Sequence, residues 1–182
     1  VINYAENSQT QLISNDIENF YEIIGNMLEG FKMDPTIARD TLETYFNIIY
    51  TKITSFPEGA LESVVDYCRR LNMLIKSLNP PTASQSKDLI VMMASNLYGI
   101  FEKHVTYPSL RDSLTVFVQK SIALVGAELL EGVNAYINCL LKMNERACLD
   151  SWIRFLNYIV QELNGEGFEL LDAHIITIFN QL

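Results

Sequence analysis

The chain has 182 residues, 49% of them apolar with nine Phe and nine Tyr, which is ample material for a continuous core. Its 22 acidic and 13 basic side chains leave a net charge of −9. That balance weighs against a surface gripping a nucleic-acid backbone unaided, because such affinity comes mostly from Lys and Arg; it suits a basic protein partner or plain solubility, and leaves room for a local basic strip.

Residues 1–15 are rich in Asn, Gln, Ser and Thr without a sustained period and read as a polar tail or linker. From there eight apolar stripes at helical spacing follow one another. The first runs over 16–31, with Ile17, Phe20, Tyr21, Ile24, Leu28 and Phe31 on one face. Asp34-Pro35 then supplies an N-cap followed by Pro at the first helical position, and the second helix, 35–53, buries Leu42, Tyr45, Phe46, Ile49 and Ile53. Pro57 opens a third helix with the stripe Leu61, Val64, Val65, Cys68, Leu71, Ile75 and Leu78. The segment Asn79 to Ser86, with Pro80-Pro81, reads as the clearest loop.

The fourth helix spans 86–106, and its run Leu89 to Ala94 reads as buried on two sides. Tyr107-Pro108 ends it, since the residue before Pro avoids the α region. A fifth helix covers 108–125 with Gly126 as C-cap, a sixth 128–143, and a seventh 148–164 with Trp152, Phe155, Leu156, Ile159 and Val160 on its apolar face. Gly165-Glu166-Gly167 turns into an eighth stripe, Phe168, Leu171, Ile175, Ile178, Phe179 and Leu182.

Helices that are each apolar on one face, with no strands between them, must stack on one another. Taken as pairs they begin near 16, 57, 108 and 148, spacings of about 41, 51 and 40 with the long one holding the Pro80-Pro81 loop, and helix pairs recurring near 40–47 residues are the signature of HEAT or armadillo units. The expected fold is therefore all-α, a HEAT-type α-α superhelix of about four helix pairs over 16–182. The chain starts at Val1 and stops at Leu182 inside an uncapped amphipathic pattern, so a fragment of a longer solenoid is expected. No apolar run approaches the roughly eighteen residues of a membrane span, and no membrane insertion is expected. The opening residues Val1 to Asn7 lack the basic start of a signal peptide.

A search for chemistry finds no convergent set. His104 and His174 are the only histidines, on different helices, with no HExxH. Cys68, Cys139 and Cys148 form no CxxC and read as small buried hydrophobes in a reducing compartment. Gly165-Glu166-Gly167 lacks a third glycine and a preceding strand, so it is no phosphate loop. Glu18/Glu22 and Glu128/Glu131 read as solvated helix faces, and Tyr21, Tyr45 and Tyr136 as core rather than base-stacking platforms. The expectation is a binding protein with no enzymatic activity, no cofactor and no metal.

One segment is more specific than periodicity. Tyr107-Pro108-Ser109-Leu110-Arg111-Asp112, then Thr115-Val116-Phe117, then Leu124-Val125-Gly126-Ala127, resembles a HEAT repeat in the C-terminal half of exportin-T, the tRNA exportins of the importin-β (karyopherin) superfamily. Ser151 to Ile159, with Trp152 and Arg154, looks like the following helix of that family. The likeness covers about 107–182, and the first hundred residues only by helix order.

The resemblance implies a nuclear export receptor that binds tRNA cooperatively with Ran-GTP and shuttles between nucleus and cytoplasm, with nuclear pore proteins as further partners. It makes the first, third, fifth and seventh helices the outer layer and the others the inner one. The inner-layer cations Arg39, Lys52, Lys87, Lys103 and Lys142 then become the candidate contacts to cargo or Ran. Glu43, Asp88, Glu102, Glu131, Glu169 and Asp172 share that layer and oppose them, while Arg111 and Asp112 are expected to knit adjacent repeats. Two other readings stand beside this one: an importin-β relative carrying protein cargo, and a HEAT scaffold with no Ran dependence.

Overall fold

Local chemistry sets where each helix begins and ends. The Asp34 carboxylate accepts the Thr36 N–H at 2.8 Å, and Pro35 follows at the first helical position, where its missing N–H costs nothing. Pro108 plays the same part after an extended Tyr107. At the far end of that helix Gly126 takes φ +70° while its N–H reaches the Ile122 carbonyl, a conformation that disfavours any residue with a Cβ.

The computed structural model describes residues 14–30, 34–143, 146–163 and 172; among these there is no strand. The helices are α1 (Ser14–Gly30), α2 (Pro35–Ser55), α3 (Leu61–Lys76), α4 (Pro80–Ala83), α5 (Lys87–His104), α6 (Pro108–Val125), α7 (Leu130–Lys142) and α8 (Arg146–Leu163). Short 3₁₀ turns at Ser84–Ser86 and Gly126–Leu129 precede α5 and α7. The stretch 1–13 and most of the expected eighth helix lie outside the described residues.

Two sequence expectations need correction. The third helix starts at Leu61 rather than at Pro57, because 57–60 form a turn in which the Ala60 N–H bonds the Pro57 carbonyl. The expected loop 79–86 is instead one helical turn and a 3₁₀ turn; Pro80 sits where a helix tolerates it, and the Ala83 N–H closes on the Asn79 carbonyl. By length and composition alone, Pro108–Lys142 is apolar enough to cross a membrane. Half of its most apolar window is nonetheless buried within the protein, and the break at Gly126 divides it into two helices.

The chain divides into two compact units, 1–85 and 86–182, and the division falls just after the Pro80-Pro81 segment. In the first unit α3 packs against both α1 and α2. The α1–α3 crossing is close because Gly25 has no side chain: a Cβ there would run into the Leu74 carbonyl oxygen. Lys76 bonds Glu22 at 2.7 Å, and Asn79 donates through its backbone N–H and its side-chain amide to Glu29, tying the same two helices at the surface. Tyr21 meets Tyr45 edge to face across α1 and α2, and both are buried.

In the second unit α6 packs on α5 and α8, and α7 on α5 and α8. Alternate helices therefore share a layer: α5 beside α7, α6 beside α8. This is the all-α, HEAT-type pairing expected from the sequence. Leu110, Leu114, Phe117, Val118 and Ile122 of α6 are almost wholly buried, as are Val133, Ile137 and Leu140 of α7 and Phe155 and Ile159 of α8. Tyr136 anchors the α5–α7 contact: its hydroxyl donates to the Ala94 carbonyl at 2.6 Å and its ring packs on Phe101 and Tyr98. Leu89, Ile90, Met93 and Ala94 are buried as expected, whereas Met92 is 44% exposed, so that run is covered on only part of its circumference.

Candidate functional site

The polar ties between layer neighbours in the second unit have sequence separations near forty. Lys87 reaches Glu128 at 2.8 Å across 41 residues, Tyr136 reaches Ala94 across 42, and Arg111 reaches Ser151 across 40. Helices of one layer thus run in the same direction, offset by one helix pair. That register decides which side chains can meet.

Arg111 is the most heavily used cation. It is buried, and its Nε donates to Ser151 Oγ at 3.1 Å and lies 3.4 Å from Asp112 Oδ1. Its Nη1 donates to the Val105 carbonyl at 3.4 Å and to Cys148 Sγ at 3.7 Å. Ser151 in turn donates to Asp112 Oδ1 at 3.4 Å. One guanidinium therefore joins the α5–α6 turn, α6 and α8, and the expectation that Arg111 and Asp112 knit adjacent repeats is met. Cys148 was read from the sequence as a small buried hydrophobe and Ser151 as part of a helix, and neither as a partner of Arg111. The signal was present, since a repeat of forty residues places 151 opposite 111.

Beside this network α6 and α8 enclose a cleft of ≈ 130 Å³ lined by Asp112, Thr115, Val116, Gln119, Ser151 and Arg154. Thr115 spends its hydroxyl on the Arg111 carbonyl, and Arg154 Nε donates to the Asp150 carbonyl. A lining with one carboxylate, Asp112, and one guanidinium, Arg154, selects neither a cationic nor an anionic ligand.

The five inner-layer cations do not converge. In the first unit, Arg39 and Lys52 are about 20 Å apart along α2. Arg39 Nη1 donates to the Gln85 carbonyl at 2.8 Å and helps close the 3₁₀ turn. Lys52, half-buried, lies in the last turn of α2, where a cation meets the negative helix end favourably. In the second unit, Lys87 and Lys103 stand at opposite ends of α5, about 24 Å apart. Lys87 is paired with Glu128. Lys103 and Lys142 stand exposed in the last turns of α5 and α7. Because those helices run side by side in one direction, Lys103 and Lys142 share an end of the second unit, and Lys87 stands at the other. Glu102 stands on that end too, accepting the Tyr98 hydroxyl at 3.0 Å.

Of the titratable groups with displaced values, Tyr98 belongs to this neighbourhood. Burial first, then the hydrogen bond and charge of Glu102 and the nearby Cys139, push its phenol up to about 12. Burial also raises Cys139, with Glu102 adding to it and Lys142 opposing. All three cysteines are buried free thiols. Of the histidines, His104 closes α5 half-exposed, and His174 lies outside the described residues. Among the described residues no group of three His, Cys, Asp or Glu is arranged to hold a metal.

Comparison with protein-family models, with curated proteins and with solved structures gives no match. The likeness to the tRNA exportins therefore rests on the residues themselves.

Proposed function

We propose that this chain is a non-catalytic arc of a nuclear transport receptor of the tRNA-exporting kind, acting with Ran-GTP and shuttling between nucleus and cytoplasm. The observation that supports the reading is the segment 107–127. The residues that carry the exportin likeness are those that open α6 with Pro108, cross to the next pair through Arg111 and close at Gly126. Cargo would be held by shape and phosphate contacts, with base sequence mattering little. Lys103 and Lys142 are the candidate contacts that share one end; Lys52 is a third, on the first unit. Stacked helix pairs touch only their neighbours, so such an array can flex and link two ligands mechanically.

The test uses the full-length protein and labelled tRNA. Retention that requires Ran-GTP and falls steeply with salt supports the proposal. Retention indifferent to Ran-GTP, or absent, overturns it.

A second reading, a receptor or scaffold for a basic protein, is favoured by a separate observation: Arg39 and Lys87 are already engaged within the chain, and the net charge is −9. With a labelled basic protein in place of tRNA, a protein importer releases cargo when Ran-GTP is added, whereas a scaffold does not respond to Ran-GTP.

A further inference from the structure

We draw no further inference here: the strongest candidate, the exposed apolar stripe of Ile23 and Met27 on α1, is an unpartnered helix face, and nothing in the structure shows what covers it.

Discussion

Gly25, Gly99 and Gly126 occupy helical or helix-end positions, yet alanine should act differently at each. At Gly25 a methyl group meets backbone, the Leu74 carbonyl, which cannot rotate aside. Gly25→Ala should lower stability by about 1–3 kcal/mol or more, read as a reduced denaturant midpoint at unchanged slope. At Gly126 there is open space, but φ is +70°, so Gly126→Ala should cost roughly 1–3 kcal/mol through the backbone alone. Gly99 is exposed in mid-helix with nothing nearby, and Gly99→Ala should gain about 1 kcal/mol from helix propensity. Titration argues at the same scale. Burial lifts the Cys68 thiol from 9.0 to about 12, and Tyr98 rises from 10.0 to about 12. Both ionise first in the unfolded chain, so the stability they confer is complete below about pH 9 and is lost as pH climbs towards 12. Melting temperatures across that window should fall less steeply for Cys68→Ala and Tyr98→Phe than for the parent protein.

Between elements, the tie that matters most is Arg111. Its removal leaves the Val105 carbonyl and Ser151 short of a charged donor, so Arg111→Ala should cost about 1.5–3 kcal/mol in thermal or chemical unfolding. Lysine should not restore it, because an ammonium cannot reproduce the planar fork that reaches Val105, Cys148 and Ser151 together. The Asp112 side chain is 54% exposed, and Asp112→Ala should change stability by under about 1 kcal/mol. Helix existence was legible in the sequence because burial follows the 3.6-residue period: every stripe residue named for 35–53, Leu42, Tyr45, Phe46, Ile49 and Ile53, is buried. Boundaries were less so. Pro57 reads as a helix start, but Glu58, Gly59 and Ala60 intervene in a turn before Leu61; Pro80-Pro81 reads as a loop, yet both prolines fit the first turn of a short helix. The candidate cations were legible by type only. Periodicity assigns a face, whereas the acceptors that engage Arg39 and Lys87 lie 46 and 41 residues away and follow from tertiary packing.

At the level of the whole molecule, charge and packing bear on different questions. The net charge of −9 makes any phosphate contact a local affair. If tRNA is the cargo, Lys103→Ala with Lys142→Ala should weaken retention by the full-length receptor and flatten its salt dependence, since two phosphate contacts are removed. Lys87→Ala should leave the salt slope largely unchanged, its ammonium being held by Glu128. Unaltered retention in the double variant would remove this end of α5 and α7 from consideration. In the second unit, the bonds between layer neighbours close chain segments of thirty-seven to forty-two residues. Pulled from its ends, that unit should therefore give way one helix pair at a time. Its described residues hold two helix pairs, so the force trace should show two steps, each releasing a contour length on the order of 110–140 Å.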